Sequence, residues 1–404
     1  MTDLDIRVLD DEVQHRAAHS LFRSTLHHGP APDEQWEVVK GTYEPGRTFG
    51  AYSGADLVGT VQSFPSALAV PGGAVVPMAA VSRVGVRADW TRRGVLSALQ
   101  RAQLKAMRDG GDVAATLRAT EGLIYERFGY GVASRYRQVR IRKSQATPRV
   151  PITGRVRLVP ADEAAPLVRE LFERLSPGRA GTIGRWPGWW DLNVLRPAEG
   201  KDKLRFAVCS GEDGDDGYLV YKVERGSWDR GVEKPTVLEV LDFWAGDERA
   251  WADLWGFTLR VDLVGEVLAE GRPLDEPLEW LMVDRRAVYV EDLADETWLR
   301  LLDVPAALAA RTYGEAEPVV VGVRDRYLPE NEGSYRVTPS GVSRTDAKPD
   351  FVVDVEGLGA AYLGDVPFSA LAMTGCVAGA SPDVLKRADK LFAVDEIPWS
   401  GTFF

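Results

Sequence analysis

The run Val81-Ser82-Arg83-Val84-Gly85-Val86-Arg87-Ala88-Asp89-Trp90-Thr91-Arg92-Arg93-Gly94-Val95-Leu96 reads as a strand, a basic turn and the start of a helix. Val81, Val84 and Val86 are β-branched and precede the turn. Beyond Gly94 the apolar residues Val95, Leu96, Leu99, Ala102, Leu104 and Ala106 recur near helical spacing. The first turn of a helix carries N–H groups with no intrahelical partner and the positive end of the dipole, so Val95, Leu96 and Ser97 offer backbone donors to an anion. Arg92 and Arg93 add charge, and Gly94 lets a phosphate approach the backbone without a Cβ in the way. Taken alone, Arg-Arg-Gly before a helix is equally a solvated basic loop. The next residues separate the two readings: after the break at Asp109-Gly110-Gly111-Asp112 comes a second strand, 113–120, and then Glu121-Gly122-Leu123-Ile124-Tyr125-Glu126-Arg127-Phe128-Gly129-Tyr130-Gly131.

A strand, a phosphate turn, a helix, a strand and a short helix ending in Tyr-Glu-Arg-Phe-Gly-Tyr resembles the core of GNAT acetyltransferases, which bind acetyl-coenzyme A. Together with Thr297-Trp298-Leu299-Arg300-Leu301-Leu302-Asp303-Val304-Pro305-Ala306-Ala307-Leu308-Ala309-Ala310-Arg311, Ala361-Tyr362-Leu363-Gly364 and the run 391–404, it is similar to the enhanced intracellular survival (Eis) family over nearly its full length. The resemblance implies an α/β (α+β) chain. Residues 1–147 would form a GNAT domain with an acetyl-coenzyme A site, 148–292 a GNAT-like domain without one, and 293–404 an α+β domain like a sterol carrier protein. It further implies a homohexamer, acetyl-coenzyme A as cosubstrate, no metal, and a small-molecule amine or a lysine as acceptor.

Bulk properties agree with that class. At 404 residues the chain exceeds one ordinary core. Its 45% hydrophobic and 27% charged residues are those of a globular protein, without the roughly 20-residue apolar run of a membrane span. The acidic N-terminal residues lack signal-peptide character, and Cys209 and Cys376 stand far apart, so the expectation is a cytoplasmic protein with core thiols. A net charge of −11 disfavours nucleic acid as partner.

Within the first domain, 4–9 alternates like an edge strand. A helix capped by Asp10 or Asp11 follows, with Val13, Ala17, Leu21 and Phe22 on its packed side and His15 and His19 on a solvated one. The hairpin 49–53 and 56–64 precedes the cofactor strand, which runs from Val75 to Val86. A second strand–helix–strand pass begins at 156–159, and no Arg-Arg-Gly turn appears in it.

Acetyl transfer needs a polarised thioester carbonyl, an amine in line with it and a proton for the departing thiolate. The bulged strand Val84-Gly85-Val86 is where this fold supplies the backbone donor, Gly85 being a residue a bulge tolerates. Thr120 and Glu121 complete the expected cofactor contacts. Tyr125 matches the family's proton donor, with a packed aromatic as the alternative. Phe404 matches the terminal residue whose carboxylate is the family's proton acceptor, the alternative being a terminus that only packs. Trp36 reads as pocket wall or as core, and Trp190 is expected at the pocket wall. The pattern is broken at Leu26 and Phe403, where relatives that acetylate polycationic aminoglycosides carry acids, and at Thr91, where the turn often carries Gln or Arg. A pocket with these residues favours an amine on an aromatic or apolar body. The competing reading is a non-catalytic protein whose carrier-like domain holds an apolar ligand.

Overall fold

The computed structural model describes residues 4–153, 155–195, 204–229 and 232–404. The chain forms two compact units, one of Met1–Ser134, Gly178–Gly188 and Asp295–Phe404, the other of Arg135–Pro177 and Trp189–Ala294.

The first unit begins with β1 (Asp5–Val8), α1 (Glu12–Thr25) and α2 (Asp33–Val39), then β2 (Thr48–Ser53), β3 (Asp56–Ala69), β4 (Val75–Val86), α3 (Val95–Asp109) and β5 (Ala114–Leu117). Strands β1 to β4 pair antiparallel in chain order. β5 then lies parallel to β4, and residues 298–301 pair antiparallel on its far side. The β4–α3–β5 crossover is a βαβ unit, and α3 buries Val95, Leu99, Leu104 and Met107 against the sheet. Each such side chain contributes about 1.5–3 kcal/mol. A Cβ on Gly59 would come within 2.6 Å of Val95 Cγ1, so a glycine in β3 is what lets the start of α3 sit down on the sheet.

The helical phase of α1 differs from the sequence expectation. His15, Ala18, His19 and Leu21 are buried, while Val13 is 80% exposed and Ala17 faces solvent. The apolar count misled because the aromatic rings behind α1, Trp36 and Tyr43, accept imidazoles as packing partners. The expected strand 113–120 is shorter, Ala114–Leu117, and the short helix is a single 3-10 turn, Glu126–Phe128.

The C-terminal part of this unit holds a second sheet in the order Gly341–Thr345, Gly333–Thr338, Val319–Arg324, Phe351–Asp354, Val377–Ala378, with helices Val304–Ala310, Val355–Tyr362, Phe368–Met373 and Pro382–Phe392. Its core is continuous with the first sheet, since Phe64, Leu68 and Met78 cluster with Leu299, Leu301, Tyr335 and Leu363. Arg300 and Asp325 form a fully buried ion pair in which Arg300 Nη2 donates to both carboxylate oxygens, at 2.7 and 2.8 Å.

The other unit carries antiparallel strands Val156–Val159, Arg205–Ser210, Asp215–Glu224 and Val237–Ala245; Glu266–Arg272 runs parallel to the last of these. Helices Ala161–Leu175 and Glu248–Arg260 accompany them. This repeats the strand order of the first domain.

Candidate active site

Gly94 caps α3 with φ +84°, a left-handed conformation that suits glycine, and no side chain occupies the first-turn donors. The first carbonyl bonded is that of Gly94, by Ala98 N at 3.0 Å, which leaves the N–H groups of Val95, Leu96 and Ser97 available. Arg92 and Arg93 are exposed beside them, Arg93 lying 5.0 Å over the Trp90 ring. The matching helix of the second unit starts differently. There the Asp247 carboxylate accepts Ala250 N at 2.7 Å, and Arg249 is held by Asp216 and Asp253. A carboxylate on those donors excludes a phosphate, so the absence of an Arg-Arg-Gly turn is matched by an occupied helix end.

The strands above this turn separate. β4 pairs with β5 only from Met78↔Ala114 to Ala80↔Thr116, while β4 runs on to Val86 along β3. Val84, Gly85 and Val86 therefore lie beyond the last β4–β5 pairing, on an edge that faces the gap. The bulge is not at Gly85. The register with β3 jumps from Thr60↔Gly85 to Gln62↔Ser82, so Arg83 and Val84 together oppose Val61, and it is Arg83 that takes φ +51°. Gly85 has another reason to be small: a Cβ there would meet Thr25, Leu21 and Phe22 of α1.

Thr120 and Glu121 form the turn that follows β5, and Tyr125 ends it. Tyr125 is 7% exposed and meets the Tyr130 ring edge-on at 6.0 Å. Burial, reinforced by the Glu121 carboxylate, pushes its phenol up to about 12. Tyr130 is fully enclosed and serves as packing.

The C-terminal segment is stitched in by a strap that sequence reasoning did not anticipate, residues 178–188. Gly181 N and Gly184 N donate to Ala69 and Ala67 of β3, while Trp399 N donates to Ala180 O and Ile183 N to Ser400 O. Arg185 Nη2 donates to Gly401 O at 2.8 Å. Arg118, just past β5, donates to Ser400 Oγ and Thr402 O and pairs with buried Glu296, which also accepts Ser134 Oγ and Ser400 N. This fixes the main chain up to Thr402. Phe403 is 67% exposed against the Arg118 guanidinium, and the Phe404 ring meets Trp186 edge-on at 5.7 Å. Trp186 in turn stacks on Phe64 at 4.6 Å.

Trp186 stands beside the terminal phenylalanine. Trp190 belongs to the other unit, 3% exposed and packed edge-on to Phe172 and Trp189. Trp36 is 1% exposed, with its indole N–H donated to Glu12 at 3.0 Å, so it packs against Tyr43 and His19 and offers a ligand almost no surface. Leu26, the C-cap of α1, is 42% exposed.

His19 has neither ring nitrogen hydrogen-bonded, and burial, with the Arg83 and Arg23 charges behind it, lowers its pKa to about 4. His15 Nε2 bonds the Leu9 carbonyl at 2.6 Å and stacks on Tyr43. Arg83 lies over both Tyr43 and Phe64, at 4.8 and 5.2 Å. A separate cavity of about 430 Å³ opens in the second unit beside Arg137, Glu279, Trp280 and Arg285, and none of the expected site residues lines it.

Residues 5–133 and 181–301 each match a family model described as an acetyltransferase (GNAT) domain, and 304–401 one described as a sterol carrier protein domain. An uncharacterized N-acetyltransferase of Streptomyces avermitilis is 36% identical across 98% of both chains. The N-acetyltransferase Eis of Mycobacterium bovis is 32% identical, over 86% of this chain and 85% of that protein. The crystal structure of Eis1 from Mycobacterium abscessus superposes with a TM-score of 0.90 at 38% identity, covering 100% of each chain. The chain belongs to the Eis family of GNAT N-acetyltransferases. As in that family, two GNAT domains are followed by a sterol-carrier-like domain, and the protein is an acyltransferase. For an Eis-family chain, the separated strands, the uncapped glycine turn and the terminal phenylalanine all fall within the first unit. No helix among the described residues is long and apolar enough to cross a membrane.

Proposed function

We propose that the protein transfers the acetyl group of acetyl-coenzyme A to the primary amine of a small molecule whose body is aromatic or apolar. The observation that carries this reading is the β4–β5 gap with an open helix start beneath it: free N–H groups on Val95, Leu96 and Ser97, a left-handed Gly94, and Arg92 and Arg93 in solvent. That donor set suits a pyrophosphate, which needs several convergent N–H groups and cationic charge. The edge of Val84, Gly85 and Val86 suits an extended amide-bearing arm, with Thr120 and Glu121 on the opposite lip. When bound, acetyl-coenzyme A supplies an activated acetyl group as a thioester.

In this reading the main-chain edge at Val84 to Val86 holds the acetyl carbonyl and polarises it. Tyr125 keeps its proton throughout the neutral range and gives it up only when the leaving sulfur carries charge, which makes it the acid. The Phe404 carboxylate takes the proton from the attacking amine. It is a weak base, with a reference pKa of about 3.3–3.7, and the Phe404 side chain that precedes it packs edge-on against Trp186. Leu26 and Phe403 contribute apolar surface at the mouth. Two acids of α2 are engaged in ion pairs of their own, Asp33 with Arg16 and Glu37 with Lys40, which leaves them less able to collect a polycation.

Family membership further supports a homohexamer in the cytoplasm, to be checked by light scattering on the purified protein. The functional reading is tested by calorimetric titration with acetyl-coenzyme A followed by mass spectrometry of a primary-amine panel. Saturable binding and a gain of one acetyl group on an amine are expected; absence of binding overturns the reading.

A further inference from the structure

We infer that the acceptor amine also carries a carboxylate, which the Arg83 guanidinium receives; this rests on the acetyl-transfer reading and narrows its substrate class. Arg83 sits in the β4 bulge at φ +51°, a conformation that a long side chain adopts only where the surrounding structure holds it. The bulge directs its guanidinium between the rings of Tyr43 and Phe64. Its protein partners are all neutral: Nη1 donates to Gln62 Oε1 at 2.8 Å, and the Tyr43 and Phe64 rings face the guanidinium. Gln62 is locked in that orientation because its own amide donates to Thr42 O at 3.0 Å.

Among the described residues, no carboxylate pairs with Arg83. Arg118, Arg47 and Arg300 in the same unit each have one. A guanidinium has five N–H donors in a fixed fork, and the single acceptor at Gln62 leaves most of that fork unused. Ring faces offset part of the cost of holding an ammonium-type charge out of water but do not neutralise it. Burial pulls the Arg83 pKa down, in keeping with a cation that lacks a counter-charge. His19, the other basic group of this wall, is neutral and supplies no negative charge either.

The position is that of a substrate contact. Arg83 immediately precedes Val84, the first residue of the strand edge that faces the β4–β5 gap. Phe64, beneath the guanidinium, stacks on Trp186, and Trp186 meets Phe404. An amine presented along these rings with a carboxylate at its far end would pair with the fork bidentately.

The test uses matched acceptors, 4-(2-aminoethyl)benzoate and its neutral isostere 4-(2-aminoethyl)benzamide, with the full chain. The unmodified protein should favour the benzoate roughly ten- to hundredfold in kcat/KM, as expected for a charge-assisted bidentate contact. Arg83→Met should abolish that preference while retaining turnover of the benzamide, and Arg83→Lys should restore part of it. Equal use of both amines by the unmodified protein overturns the inference. So does an equal loss on both amines in Arg83→Met, which would mean that the guanidinium serves the Phe404 carboxylate or the fold. If neither amine is acetylated, calorimetry with the same pair decides separately. Tighter binding of the benzoate keeps the anion-receiving pocket while the acetyl-transfer reading fails, and equal or undetectable binding of both overturns the pocket.

Discussion

The Arg118 guanidinium lies 4.8 Å from the centre of the Phe403 ring. The same side chain bonds Ser400 Oγ and Thr402 O and offsets the charge of Glu296, so one residue at the end of β5 anchors the last turn of the chain. Arg118→Ala is expected to lower kcat by about tenfold or more, with little change in acetyl-coenzyme A affinity, and to cost about 1–3 kcal/mol of stability, because Glu296 keeps two hydrogen bonds but loses its cation. Arg118→Lys should recover most of the stability. Wild-type kinetics in Arg118→Ala would show that the ordered tail is not needed for turnover.

Replacing Arg92 and Arg93 together by alanine should weaken acetyl-coenzyme A binding about ten- to hundredfold with little loss of stability, since both residues are exposed and the stacking of Arg93 on Trp90 is a surface contact. Calorimetric titration checks this. An unchanged dissociation constant would remove the pyrophosphate from this turn.

Much of the β4–α3–β5 unit is legible in the sequence because its determinants are local: β-branched residues, then a basic glycine turn, then a helical period. Tyr125 is legible for the same reason. The strap 178–188 is not, because its hydrogen bonds join β3 to residues 399–402 across the length of the chain. That is why the place of Trp186 beside Phe404 is not apparent from the sequence. The α1 face is misread by the apolar pattern because imidazoles at His15 and His19 pack on aromatic rings, and the bulge falls on Arg83 although a glycine stands two residues away.

His19 makes the fold acid-sensitive in a defined window. Its pKa is near 4 when folded, against a reference of about 6.5 unfolded, so below pH 6.5 the unfolded chain binds the proton first. Stability from this group is full above about pH 6.5 and is lost as pH falls toward 4, by up to about 3 kcal/mol. His19→Phe keeps a ring among Trp36, Tyr43 and Phe22 and removes the titration. Thermal melts between pH 4 and 7 should therefore be flatter in the variant. Parallel curves for the two proteins would assign the acid sensitivity to other groups.

On the proposed reading, Leu26, Phe403 and the Arg83 charge disfavour a polycation, because each ammonium beyond the one that faces Phe404 loses hydration without gaining a carboxylate. Kanamycin-like aminoglycosides should show kcat/KM at least about tenfold below that of arylalkylamines, and Phe403→Glu should narrow the gap. Efficient aminoglycoside acetylation by the unmodified protein contradicts this account of the pocket.

The central claim is that Tyr125 donates the proton in acetyl transfer at the β4–β5 gap. The decisive measurement is steady-state release of coenzyme A thiol, with the acetylated amine quantified in parallel, for the protein and for Tyr125→Phe. The account predicts a kcat lower by about 10²-fold in the variant with an unchanged calorimetric affinity for acetyl-coenzyme A. For the unmodified protein, kcat/KM should rise as the amine loses its proton and then hold level past pH 10, because the phenol titrates only near 12. A Tyr125→Phe protein that turns over at the unmodified rate would contradict it.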